Sequence, residues 1–140
     1  MCLKCIFLII GLILIALCGG FFLWLWWLFR YVRSSKYIQC LSAEEFDRKI
    51  AEVGNEQLID VCYPREFEKA HIRGARNINF RSSDFRKQIE KLDRNKPILL
   101  YCHSGVRSKM TAIMCKRMGF KTIYDLDRGL ASWLKAGKSV

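Results

Sequence analysis

A chain of 140 residues, 51% hydrophobic and with a formal charge of +11, has room for one domain of about a hundred residues plus an appendage. Its basic residues form no aromatic-interleaved motif and no recognition-helix pattern, so no nucleic-acid partner is expected; a basic face toward anionic lipid or anionic substrates is the better reading. None of the cysteine spacings after residue 29 resembles a paired zinc site, and neither a metal nor a cofactor is expected.

Residues 1–5 are a short N-terminal tail, and residues 6–29 contain no charged side chain. At about 1.5 Å per residue, a helix of that length spans roughly 36 Å, enough to cross a hydrocarbon core of about 30 Å with some tilt. Trp24, Trp26, Trp27 and Tyr31 crowd one end as an interfacial aromatic belt would. Ala16-Leu17-Cys18-Gly19 faintly resembles a cleavage site, but Leu17 is bulky for that position and the apolar run continues past Cys18, so a retained transmembrane helix is expected. Arg30, Arg33 and Lys36 follow the span and only Lys4 precedes it, which places the following domain on the cytosolic face of a single-pass protein, the inner membrane in a bacterium. Residues 30–36 form a short basic connector, and residues 37–140 form the domain.

From Tyr37 onward short apolar runs alternate with amphipathic stretches, the pattern of a parallel sheet covered by helices. Ser42-Ala43-Glu44-Glu45 is a capping box opening a helix that turns Phe46, Ile50 and Val53 inward and stops at Gly54. A strand is expected over 57–61, then a short helix with Pro64 at its first position, a turn at 71–75 and a brief strand over 76–78. Ser82 or Ser83 caps a helix reaching Leu92, with Phe85 and Ile89 on its inner face. Strand 98–101 leads into a loop and a helix whose Met110, Ile113, Met114 and Met118 recur at helical spacing, read as core packing, with Cys115 a small buried hydrophobe and Gly119 the stop. The last strand is expected over 122–124 and the last helix around Leu130, Trp133 and Leu134.

The loop Cys102-His103-Ser104-Gly105-Val106-Arg107-Ser108 carries the chemistry. It holds a cysteine between a strand end and a helix start, where loop N–H groups, the helix N-terminus and the Arg107 guanidinium all favour an anion, and hence the thiolate nucleophile. Gly105 lets the backbone close around the sulfur. Arg107 is read as an electrostatic partner of an anionic donor. His103 has no assigned acid–base role, and Ser104 and Ser108 hydrogen-bond either the sulfur or the loop.

Leu58-Ile59-Asp60-Val61, Glu66-Phe67 with His71-Ile72 and Gly74-Ala75, Tyr101-Cys102 through Arg107-Ser108, and Gly129-Leu130 with Trp133 and Ala136-Gly137 stand in the order and spacing of one family. The chain resembles the rhodanese-like (thiosulfate sulfurtransferase) family over nearly everything after residue 36. The resemblance implies an α/β domain with a five-stranded, largely parallel central sheet flanked by helices, sulfur transfer as the activity, Cys102 as the active-site cysteine and residues 103–107 as the substrate cradle. A small sulfane-sulfur donor or a protein persulfide would load Cys102, and a thiol or cyanide would unload it.

The chain departs from the family pattern at Cys62 and Tyr63, where an arginine and a small capping residue are usual, at Ala70 and at Arg128. Asp60 is read as an acceptor for loop amides. Cys62 is either an inert substitution or a thiol that resolves a Cys102 persulfide into a disulfide. Two other functions stay open at this stage: a relay or partner-binding module that takes sulfur only from a protein, and a phosphatase or arsenate reductase. Related phosphatases carry five residues between cysteine and arginine, whereas four separate Cys102 from Arg107, a ring better fitted to a sulfur atom than to a tetrahedral phosphate.

Overall fold

The computed structural model describes residues 37–140, together with Gly19, Gly20 and Leu23, which are helical. The expected membrane span over 6–29 and the connector over 30–36 otherwise lie outside the described residues. Among the described residues no helix is long and apolar enough to cross a membrane.

Residues 37–140 fold as alternating strands and helices. In chain order these are β1 (Ile38–Leu41), α1 (Ala43–Val53), β2 (Leu58–Asp60), α2 (Pro64–Lys69), β3 (Arg76–Asn77), α3 (Phe85–Glu90), β4 (Ile98–Tyr101), α4 (Val106–Arg117), β5 (Ile123–Leu126) and α5 (Gly129–Lys135). The strands pair in the order β1-β5-β4-β2-β3, and every pairing is parallel. β4 is central and buried at all four positions, which explains why it reads as a short apolar run instead of an alternating one, and β5 is buried throughout as well, Asp125 included. The two faces feed two cores. Ile59, Leu100 and Cys102 pack with Phe85, Ile89, Ala112 and Cys115, while Leu58, Leu99 and Tyr101 pack with Phe46, Leu130 and Trp133. Because all strands run one way, the loops after β2, β4 and β5 leave the same sheet edge, the place where open α/β sheets present their ligand sites.

The capping box is present: Ser42 N–H and Oγ both reach Glu45, whose N–H returns to Ser42 Oγ, and Gly54 closes α1. Four local expectations need correction. Ile38–Leu41 forms β1 without a strand signal in its sequence, because Ile-Gln-Cys-Leu is too short and mixed to stand out before pairing with β5 supplies its hydrogen bonds. α3 has Asp84 at its N-cap, and Ser82 instead forms the preceding turn, accepting the Asp84 N–H on Oγ and the Phe85 N–H on its carbonyl. The last strand runs on to Leu126, since its pairing with β1 continues there. Met110 is 55% exposed and lies off the core. α4 instead buries Ser108, Thr111, Ala112 and Cys115, small side chains that let the helix sit close to the sheet, while Met114 and Met118 pack at the margin.

Candidate active site

β4 delivers Cys102 to the sheet edge, and α4 begins four residues later at Val106. Between them the chain turns back on itself, and the Gly105 N–H donates to Cys102 Sγ at 3.1 Å. Gly105 is the α4 N-cap with φ of +86°, a conformation that a side chain would strain. Cys102 is fully buried and Gly105 is buried, while His103 and Ser104 are exposed.

α5 holds the back of this loop. Leu130 N–H donates to Cys102 O at 2.8 Å and Ala131 N–H to His103 O at 3.1 Å, so free amides at the first turn of a helix satisfy the loop carbonyls and draw them away from the sulfur. The fit is close enough to exclude a side chain at Gly129, where an added Cβ would stand 2.1 Å from Cys102 O. Arg128 precedes it with φ of +58°, the only non-glycine in the left-handed region among the described residues, and its side chain lies 83% exposed.

Of the residues expected to bind substrate, the structure gathers some at the sulfur and sends others elsewhere. Ser108 is buried and its Oγ donates to Gly105 O at 3.2 Å, so its hydroxyl braces the loop. Val106 is 63% exposed. Arg107 turns toward α2, where its guanidinium forms a two-pronged pair with Glu66 at 2.6 and 2.9 Å, lies over the Tyr63 ring at 4.6 Å, and approaches Cys62 Sγ at 3.8 Å. The Arg107 bond holds the Glu66 carboxyl down at about 2. Nothing local in the sequence marks Glu66 or Tyr63 as a site residue, because Arg107 and Glu66 stand 41 positions apart.

Asp60 and Cys62 lie at the end of β2, next to β4. Asp60 Oδ1 accepts the Cys62 N–H at 2.7 Å, and Asn77 Nδ2 donates to the carbonyls of both residues at 3.0 and 2.9 Å. Asp60 Oδ2 is buried without a hydrogen-bond partner among the described residues, and burial raises the carboxyl. Burial also pushes up the Cys62 thiol, and the Asp60 carboxylate adds to that. The Tyr101 hydroxyl accepts the Ile72 N–H at 3.0 Å and so ties the turn before β3 to the base of the site. Asp125 on β5 is fully buried below the first turn of α4, with Oδ1 lacking a hydrogen-bond partner among the described residues and Oδ2 3.9 Å from Cys40 Sγ; burial pushes its carboxyl up to about 7. No cluster of His, Cys, Asp and Glu suited to a metal occurs among the described residues.

The sequence pattern of the rhodanese-like domain matches residues 42–136. The chain is 38% identical over 103 residues to the uncharacterized protein YqhL of Bacillus subtilis, covering 74% of this chain and 78% of that one. It is 28% identical over 88 residues to thiosulfate sulfurtransferase GlpE of Shewanella oneidensis, covering 63% and 85% respectively. The solved rhodanese-like domain protein of Staphylococcus aureus superposes with a TM-score of 0.59 at 20% identity, over 68% of this chain and 90% of that one, a likeness of fold. From the family match and the buried cysteine at the loop between β4 and α4, the chain belongs to the rhodanese-like domain family.

Proposed function

We propose that this protein is a membrane-anchored sulfurtransferase in which Cys102 takes a sulfane sulfur as a persulfide and passes it to a thiophilic acceptor, a thiol or cyanide. The observation that carries the proposal is the Gly105 N–H held 3.1 Å from Cys102 Sγ in a four-residue turn that runs straight into α4. A backbone donor fixed at the sulfur, at the positive end of a helix, stabilises a thiolate before the reaction and a persulfide anion after it, without reorganisation.

With thiosulfate, the Cys102 thiolate attacks the outer sulfur. The new bond joins Cys102 Sγ to that sulfur, the donor S–S bond breaks, and sulfite leaves with the electron pair. An acceptor thiolate or cyanide then attacks the outer sulfur of the persulfide and returns Cys102 as thiolate. His103 and Ser104, the exposed side chains of the loop, meet the incoming donor. Arg107 acts through structure: paired with Glu66, it clamps the first turn of α4 to α2. The formal charge of +11 favours anionic donors at long range.

The charge-free run over 6–29 supports anchoring, and the basic residues after it support a cytosolic domain. Both parts are tested on the full chain. After expression in bacteria, the protein stays in the membrane pellet at alkaline pH and protease added to spheroplasts leaves the domain intact. In detergent, thiosulfate and cyanide yield thiocyanate, and Cys102→Ser abolishes the product. Persulfide on Cys102 from a protein donor but not from thiosulfate would make the protein a relay, and turnover of phosphate esters would refute the sulfur reading.

A further inference from the structure

Cys62 stands where its family usually has arginine, and the structure brings it to the active cysteine. β2 and β4 are neighbouring parallel strands with Asp60 opposite Tyr101, and the Val61 N–H donates to Tyr101 O at 3.0 Å, which carries the pairing one residue further. Val61 is thereby the lateral neighbour of Cys102, and Cys62 stands one residue beyond. Continuing the pairing, with strands about 4.8 Å apart and a rise of about 3.3 Å per residue, places the two cysteine Cα atoms about 6 Å apart, inside the range of about 4.4–6.8 Å that a disulfide spans. Val61 and Cys62 both belong to the core cluster that holds Cys102, so the chain leaves strand alternation at the bend at Cys62 and turns this side chain to the Cys102 side of the sheet.

Two further groups suit Cys62 to react. Asp60 holds the Cys62 backbone with Oδ1 and keeps a buried Oδ2 with no hydrogen-bond partner among the described residues, an acceptor for the thiol proton. Arg107 Nη2, 3.8 Å from Cys62 Sγ, offsets the charge of the thiolate as it forms. Because burial and Asp60 push the resting thiol up, Cys62 stays protonated and leaves the first attack to Cys102.

We propose that Cys62 is the resolving thiol of this site, converting the Cys102 persulfide into a Cys62–Cys102 disulfide with release of hydrosulfide. This rests on the sulfurtransferase reading above. The Cys62 sulfur attacks Cys102 Sγ, its proton passing to Asp60. The Cys62–Cys102 bond forms, the bond from Cys102 to the outer sulfur breaks with its electron pair on that sulfur, and Asp60 returns the proton to it, so that it departs as hydrosulfide. The two thiols lose two electrons in total and the sulfane sulfur is reduced to sulfide, so no outside oxidant takes part. Sulfur accepted from thiosulfate is thus released as hydrosulfide when no acceptor arrives, and an external dithiol restores the site.

The test uses the full chain in detergent, reduced, freed of reductant and kept without oxygen, then treated with thiosulfate, acid-quenched and mapped as tryptic peptides. The expected result is a peptide pair joined through Cys62 and Cys102, one hydrosulfide released per disulfide, and faster conversion at higher pH. Cys62→Ser and Cys62→Ala instead retain the extra sulfur on Cys102. A stable persulfide on Cys102 in the parent chain, with no joined peptides, overturns the inference while leaving the sulfurtransferase intact. Neither persulfide nor disulfide in parent and variants overturns both.

Discussion

Gly129→Ala tests how the back of the catalytic loop is held. The added Cβ would stand 2.1 Å from Cys102 O and 2.8 Å from both Gly105 N and His103 O, so loop and α5 must separate by more than an ångström to reach ordinary contact. Separation weakens the bonds from Leu130 and Ala131 N–H to the loop carbonyls, each worth about 0.5–1.5 kcal/mol. Holding alanine at φ of +60° adds about 1–2 kcal/mol. The expected destabilisation is about 2–5 kcal/mol, and a loop displaced by about 1 Å at the nucleophile lowers turnover on the order of 100-fold. Gly137→Ala is the control, since Gly137 also has positive φ, +72°, but nothing lies within 4 Å of its would-be Cβ. Thermal denaturation and thiocyanate production from thiosulfate and cyanide are measured for both. The control loses stability through backbone strain and keeps its activity per folded molecule, whereas Gly129→Ala loses both. Gly129→Ala with parental turnover per folded molecule would refute the claim that α5 braces the site.

Three other substitutions probe separate parts of the account. Glu66→Gln removes the anionic half of the Arg107 pair. A carboxyl held down at about 2 stabilises the fold above the usual value of 4.5 and loses that contribution as pH falls toward 2, so the gap between parent and variant in unfolding free energy from urea titration should be about 1–2 kcal/mol at neutral pH and close over that window. An unchanged gap at pH 2 would contradict it. Asp125→Asn acts in the opposite direction: a buried carboxyl pushed up from 3.8 to about 7 destabilises the fold increasingly as pH rises between those values, so the variant should gain on the parent from pH 4 to 7 and hold its gain above, as read by melting temperature. Arg128→Gly relieves a left-handed arginine whose side chain is exposed, and the melting temperature should rise by several degrees, for about 1 kcal/mol in a domain of this size. A fall would mean that the Arg128 side chain contributes contacts that outweigh the strain.

Much of the architecture is legible in local chemistry. The box at Ser42 and Glu45, Pro64 at the first turn of α2 and the run Ile98–Tyr101 each lie where hydrogen-bonding and burial rules place them. β1 and the end of β5 are not legible, because four mixed residues become a strand only through a partner some eighty positions away. The methionine stripe misleads for a related reason: helical spacing identifies a face, but which face turns inward depends on how close the helix sits to the sheet, and small residues decide that here. At the site, the cysteine and its glycine are readable because both belong to one loop. The destination of Arg107 is not, since Glu66 and Tyr63 come from another element and only the fold makes them neighbours. The bracing of the loop by α5 is likewise invisible until the backbone of Gly129 is seen against Cys102 O.

The most direct measurement is the intact mass of the full chain in detergent after brief exposure to thiosulfate, made on Cys62→Ser so that a persulfide is not consumed, beside the same chain also carrying Cys102→Ser. The account predicts the mass of one sulfur atom added to the first, located by peptide mapping on Cys102, and none on the second. No added sulfur on Cys102, with its thiol shown to be free and reactive, would contradict the claim that this loop accepts sulfur from thiosulfate.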